Sequence, residues 1–257
     1  MIFLHTFVPP AIAFSFGPLT IYWYGIIMAV AMAASIFLAV HLAPQRGVEK
    51  ERILDLALWL IVGGIIGARL YDAALNISIY IHEPLEIIKI WHGGLAIHGA
   101  LIGGLCALIL YARRLRQDAW MLAAIIVPAV ALGQAIGRWG NWFNQELFGL
   151  PTNAPWGIPI VPFNRPLGFE SSQYFHPTFL YESIGNLAIC IILYFLLQKK
   201  IAAPKIIGWY AILYGCLRFA LEYIKIDPTP VLFGWRWPQI VSLILIIIGL
   251  ITLRKKS

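Results

Sequence analysis

Long apolar runs separated by short polar stretches dominate this sequence, and the length of the runs decides what they are. About 20 residues at 1.5 Å rise cross a hydrocarbon core of about 30 Å. Seven segments qualify: 20–40, 53–74, 93–112, 119–142, 176–197, 206–225 and 235–253. A membrane β-barrel would instead alternate in segments of about 10 residues. The pattern predicts an all-α polytopic membrane protein with seven transmembrane helices, a single transmembrane domain over residues 1–257. The stretch at about 144–175, rich in Pro and Gly and poor in charge, is expected to form an ordered segment on the outer face. The residues before the first run hold Pro9, Pro10 and Pro18 but no basic residue, so they lack the charged start of a cleavable signal peptide and the first span is expected to be retained.

Composition sharpens this picture. The 257 residues are 60% apolar and only 12% charged, against about 25% charged in ordinary soluble domains, which excludes a water-soluble globule. The net charge of +7 points to nucleic acid only when basic residues share one exposed face. Here they cluster between apolar runs, so membrane lipids are expected as partners and nucleic acid is not. Twelve lie in one set of loops: Arg46, Lys50 and Arg52; Arg113, Arg114 and Arg116; Lys199, Lys200 and Lys205; then Arg254, Lys255 and Lys256. Four, Lys89, Arg165, Lys225 and Arg236, lie in the opposite set. Positive loops stay cytoplasmic, which puts the N-terminus outside, on the periplasmic side, and the C-terminus in the cytoplasm. Cys106, Cys190 and Cys216 fall inside apolar runs without ligand spacing, so no disulfide framework, metal site or organic cofactor is expected.

With these directions, the polar residues inside the spans fall at similar depth. Spans two, four and six run outward and carry Arg69 with Asp72, Arg138, and Arg218 with Glu222 near their ends. Spans one, three and five run inward and carry Tyr22 and Tyr24, His98, and His176 with Tyr181 and Glu182 near their starts. A charge within a bilayer is costly and marks function by default, so a polar cavity in the outer half is expected. Arg69 and Asp72, three apart on one helical face, read best as a structural pair. Arg218 and Glu222 at i, i+4 admit the same reading, but Tyr214 one turn earlier extends the polar stripe and favours function. Glycines around His98 and in span two, Gly63 and Gly67 among them, fit close helix packing. Span four ends in Gly137-Arg138-Trp139-Gly140-Asn141-Trp142-Phe143-Asn144-Gln145-Glu146-Leu147-Phe148-Gly149. That stretch puts an arginine without an obvious partner, two amides and a carboxylate where the helix leaves the membrane. Arginine recognises phosphate through its planar fork, which makes an anionic lipid headgroup a natural ligand.

This stretch resembles the signature of the prolipoprotein diacylglyceryl transferase family, approximately G-R-x-G-N-F-x-N-x-E-x-x-G, with Trp142 where Phe is usual. Trp23-Tyr24-Gly25, Gly67-Ala68-Arg69, Gly93-Gly94 through His98-Gly99, His176-Pro177-Thr178-Phe179-Leu180-Tyr181-Glu182, and Arg218 with Glu222 are similar to the family's other motifs. The resemblance implies a bacterial inner-membrane enzyme. Its substrates would be phosphatidylglycerol and a prolipoprotein signal peptide with its lipobox cysteine. The diacylglyceryl group would pass to that cysteine's thiol, giving a thioether and glycerol phosphate. Arg138 and Arg218 would then hold the phosphate and His98 would take the thiol proton, with Glu146 and Glu222 orienting these groups. Tyr24, Asn141, Asn144, Tyr214, His176, Tyr181 and Glu182 would contact substrate. The rival class is a transporter or channel for a small anion. It fits less well, because the inner half carries few polar residues and no internal repeat stands out.

Overall fold

The computed structural model describes residues 2–254; Lys255 and Lys256 of the basic tail lie outside the described residues. The chain is mostly helical. A short helix α1 (Ile2–Thr6) and a hairpin of β1 (Ile12–Phe16) with β2 (Leu19–Tyr22) precede α2 (Trp23–Leu42). Then follow α3 (Lys50–Leu75), α4 (Ile77–His82), α5 (Ile97–Arg114) and α6 (Ala119–Phe143). After α6 come the two-residue strands β3 (Ile158–Pro159) and β4 (Tyr174–Phe175), which pair antiparallel, then α7 (Thr178–Gln198) and α8 (Ala203–Leu221). A small hairpin, β5 (Val231–Leu232) with β6 (Trp235–Arg236), leads into α9 (Trp237–Arg254).

Each of the seven apolar runs is thus a helix, and six of these are long and apolar enough to cross a membrane. The protein is a multi-pass membrane protein. The exception is α8, whose 19 residues include Lys205, Arg218, Trp209, Tyr210 and Tyr214. Two boundaries differ from the sequence reading. The helix expected from 93 starts at Ile97, because Gly93 (φ 91°) and Gly94 (φ 72°) take left-handed backbone. The helix expected to reach 225 ends at Leu221. The faces these helices leave exposed are apolar, as with Leu58, Ile66, Leu105, Phe195 and Ile251, which suits contact with lipid tails.

Two compact units divide the chain, Ala39–Ile125 and the remainder. In Ala39–Ile125, α3 packs on α5 through glycines facing glycines. A Cβ on Gly67 would lie 2.3 Å from the Gly99 carbonyl oxygen, and one on Gly103 would lie 2.2 Å from that of Gly63. Such close backbone approach is the usual way helices gain dispersion energy in a membrane, where burial from water offers no driving force. The same unit is tied at its other end by the Tyr111 hydroxyl, which donates to the Arg52 carbonyl at 2.7 Å.

In the remainder, α8 and α9 approach in the same manner: a Cβ on Gly249 would meet the Gly208 carbonyl oxygen at 2.7 Å. Ser183 of α7 donates to the Ala135 carbonyl of α6 at 2.7 Å and accepts from the Trp139 indole at 3.1 Å. The segment after α6 is not a loose loop. Phe148, Ile158, Ile160 and Phe175 form an apolar core with Trp142 and Phe179 of the helices. His5 stacks on Tyr174 with ring centroids 4.1 Å apart, and its Nδ1 bonds the Gly157 carbonyl at 2.8 Å, which fastens α1 to that segment.

Candidate active site

Four of the expected residues form the spine of an ion cluster in the larger unit. Glu182, on the first turns of α7, is ion-paired with Arg138 of α6, and its Oε1 accepts from Arg218 Nη1 of α8 at 3.2 Å. Arg218 Nη2 lies 3.0 Å from Glu222 Oε2, one turn onward. Arg138 is therefore not the unpartnered arginine suggested by its sequence surroundings. Its partner sits 44 residues away, brought near because α6 and α7 are clamped side by side through Trp139, Ser183 and Ala135.

Two further cations join, and neither was expected. Lys225 Nζ lies 2.5 Å from Glu182 Oε1 and Arg236 Nε lies 2.9 Å from Glu222 Oε1. Lys225 had a visible signal: it extends Arg218 and Glu222 into an i, i+4, i+7 stripe. Arg236 had none. It is held by the Lys225 and Asp227 carbonyls and by Thr229 Oγ1 at 3.0 Å, all contributed by the turn that follows α8.

The cluster thus joins four cations to two carboxylates, an excess of two positive charges. The carboxylates are the hidden part, Glu182 being 2% and Glu222 1% exposed, whereas the Arg138 and Arg218 side chains keep 21% and 17% of their surface open. Buried carboxylates here fix the guanidinium groups, which keep the more open surface. A dianionic phosphate ester would complete the charge balance.

The remaining expected residues of this unit flank the cluster. Arg138 Nη1 donates to Asn141 Oδ1 at 3.4 Å, and Asn141 Nδ2 donates to Glu146 Oε1 at 2.8 Å; Asn144 reaches the same oxygen at 3.5 Å. Glu146 therefore engages amides, not the arginines it was expected to orient. Tyr24 lies against Gly140, whose Cβ would fall 2.8 Å from its ring, so any larger residue there would have to displace the ring. The Tyr181 hydroxyl accepts from the Trp156 indole at 2.8 Å and bonds His176 Nδ1 at 3.1 Å. Tyr214 stacks on Tyr210 at 5.8 Å between centroids. Gly149 bridges to Lys225 backbone to backbone, and a Cβ there would strike Ile224 and His176.

His98, Arg69 and Asp72 belong to the other unit. The His98 ring lies 6.0 Å from that of Tyr71, near the start of α5. Arg69 and Asp72 do pair, but only at 3.9 Å. Asp72 is held more closely by the Tyr80 hydroxyl at 2.7 Å and Asn76 Nδ2 at 3.1 Å. The main work of Arg69 is different from that expected. Its guanidinium donates to the main-chain carbonyls of Ile87 (3.0 Å), Gly93 (2.6 Å), Gly94 (3.0 Å), Glu86 and Lys89. One buried arginine thereby fixes the whole connection that leads into the helix bearing His98. On that connection, hydrogen bonds from Lys89 and then His92 hold the Glu86 carboxyl below its ordinary range.

Comparison with known proteins agrees with the geometry. The family model described as prolipoprotein diacylglyceryl transferase matches residues 11–254. A protein of Synechococcus elongatus named phosphatidylglycerol–prolipoprotein diacylglyceryl transferase is 45% identical over 243 residues, covering 92% of this chain and 84% of its own. Proteins of the same name from Acaryochloris marina and Thermosynechococcus vestitus are 43% and 40% identical, covering 93% and 95% of this chain and 88% and 91% of theirs.

Proposed function

The chain belongs to the prolipoprotein diacylglyceryl transferase family, and on that premise we propose how its residues share the reaction. The enzyme transfers the diacylglyceryl group of phosphatidylglycerol to a prolipoprotein. The acceptor is the thiol of the lipobox cysteine. The thiolate sulfur attacks the glycerol carbon that carries the phosphate; the carbon–oxygen bond breaks, its electron pair stays on the phosphate oxygen, and glycerol phosphate leaves. A thioether remains on the protein. The assignment displaces the small-anion transporter that the sequence also allowed.

The observation that carries the division of roles is the excess of two positive charges in the Arg138–Glu182–Arg218–Glu222–Arg236 cluster with Lys225. Negative charge grows on the leaving phosphate as the bond breaks, and fixed donors aimed at developing charge are the largest single catalytic term in many enzymes. Arg138 and Arg218 take that role. Glu182 and Glu222 position them, and Asn141, Asn144, Glu146 and Tyr24 line the approach. Tyr214, His176 and Tyr181 contact the substrates. His98 accepts the proton from the thiol, because the thiolate is the nucleophile. The basic loops support seven spans with the N-terminus outside, the C-terminus in the cytoplasm, and the cluster toward the periplasmic half of the bacterial inner membrane.

Arg138→Lys tests the reading, since lysine keeps the charge but loses the planar fork. In purified protein given phosphatidylglycerol and a lipobox peptide, thioether formation followed by mass spectrometry should fall by about 10²–10³-fold. Turnover near that of the unaltered protein would remove phosphate recognition from Arg138.

A further inference from the structure

Of the cations in the cluster, Arg236 comes from furthest along the chain, and its placement is built in detail. The turn between β5 and β6 has left-handed backbone at both Phe233 (φ 52°) and Gly234 (φ 78°), the geometry that reverses a hairpin within two residues. It sets Arg236 opposite Val231, and the neighbouring Trp235 packs on Phe219 of α8 with ring centroids 5.8 Å apart. The Arg236 amide donates to Gln239 Oε1 at 3.0 Å, which ties the hairpin to the start of α9. Every nitrogen of the guanidinium has an acceptor. Nη1 donates to the Lys225 carbonyl and Nη2 to that of Asp227 at 2.5 Å. Nε is left for Glu222 Oε1 at 2.9 Å and Thr229 Oγ1 at 3.0 Å.

Charge counting gives this arrangement a meaning. The Glu222 side chain is fully buried, and its other oxygen faces Arg218. Without Arg236, the cluster would set Arg138, Arg218 and Lys225 against Glu182 and Glu222, an excess of one positive charge; with Arg236 the excess is two. The bound lipid is a phosphodiester with one negative charge. The departing glycerol phosphate is a monoester with about 1.5–2. An excess of one therefore matches the substrate, and an excess of two matches the phosphate as it leaves. Only interactions that are stronger in the transition state than in the ground state speed the chemical step.

We propose that Arg236 is a positioning residue of the transfer step. By taking up the charge of Glu222, it leaves Arg218 a net cation and tunes the cluster to the leaving phosphate in preference to the bound diester. This rests on the phosphate site proposed above.

The test uses the full-length protein in mixed micelles with phosphatidylglycerol and a lipobox peptide. Two inhibitors are compared: glycerol phosphate, a near-dianion, and its methyl ester, a monoanion of nearly the same shape. The unaltered protein should bind the first more tightly by about 10-fold, the effect of one unit charge about 10 Å away at an effective dielectric constant of about 20. Arg236→Gln should lose that preference and lower kcat by a similar factor while KM for phosphatidylglycerol stays nearly unchanged. Arg236→Lys keeps the charge but not the fork that grips the two carbonyls, so it should restore most of kcat. Equal inhibition of the unaltered protein by the two esters would overturn the proposal, and that comparison needs no variant to fold. Normal kcat in Arg236→Gln, or a rise in KM alone, would also overturn it. So would an Arg236→Lys variant as impaired as Arg236→Gln, which would make Arg236 a pin for the hairpin. Inhibition by neither ester would overturn the phosphate site itself, and this inference with it.

Discussion

Gly67→Ala is the sharpest test of how α3 and α5 are held. The new Cβ would sit 2.3 Å from the Gly99 carbonyl oxygen and 2.8 Å from the Gly103 Cα, where ordinary contact begins at 3.4 Å. Both obstacles are backbone, so no rotamer change relieves them and the helices must separate by about 1 Å. Overpacking of this kind costs about 1–3 kcal/mol, and the upper end applies because separation also weakens the Gly63 and Gly103 contacts above it. For a chain of this size each kcal/mol moves the melting temperature by about 2–4 °C, which gives a fall of about 4–12 °C. Thermal unfolding in detergent, followed by tryptophan fluorescence, measures it. Gly104→Ala on the same helix is the control: nothing lies within 4 Å of its Cβ position, and alanine is the better helix former by up to about 1 kcal/mol, so that variant should melt at or above the parent temperature. If both variants melt like the parent, the glycine stripe is not what joins these helices.

Glu182→Gln should be the most damaging change in the cluster. It leaves Arg138, Arg218 and Lys225 without their shared counter-charge, a loss of about 3–5 kcal/mol to be read as reduced membrane abundance, and adding Lys225→Met should restore part of it; normal abundance of the single variant would refute the pairing. His98→Gln keeps hydrogen-bonding capacity but not basicity, so turnover should fall by about 10²–10⁴-fold and recover in part as pH rises and the acceptor becomes thiolate unaided, while lipid binding is kept; normal turnover, or lost lipid binding without pH rescue, would move the base elsewhere. Glu86 is held below its ordinary range by Lys89 and His92. Its tether is therefore fully in place above pH 4.5 and is lost as pH falls through the lowered value, so hydrogen exchange at residues 83–93, corrected for intrinsic rate, should rise only in that acid range.

What was legible in the sequence follows from what leaves a local trace. Apolar runs report helices, so all seven were visible, and the spacing of Gly63 and Gly67 reported the close approach of α3. Arg218 and Glu222 were visible as a pair because they share one helix. The Arg138 pairing was not, because Glu182 lies on another helix and only the register of α6 against α7 joins them. Lys225 does lie outside α8, which ends at Leu221; its link to Glu182 was hidden because only the turn that follows the helix brings the two together. The Arg69 cage was invisible for a stricter reason: its partners are main-chain carbonyls, which every residue has.

That cage bears on how this protein can change over time. Along the connection from Pro84 to His92 the guanidinium grips main-chain oxygens and is indifferent to the side chains there, so positions of that stretch outside the Glu86, Lys89 and His92 tether can change in sequence while the path is kept. The constraint falls instead on a few places: Arg69 itself, and Gly94, where a Cβ would lie 2.4 Å from the Arg69 Nη1 and 2.6 Å from Asp72 Oδ2. Side-chain chemistry at the untethered positions of this stretch can therefore be rewritten without disturbing the helix start it supports.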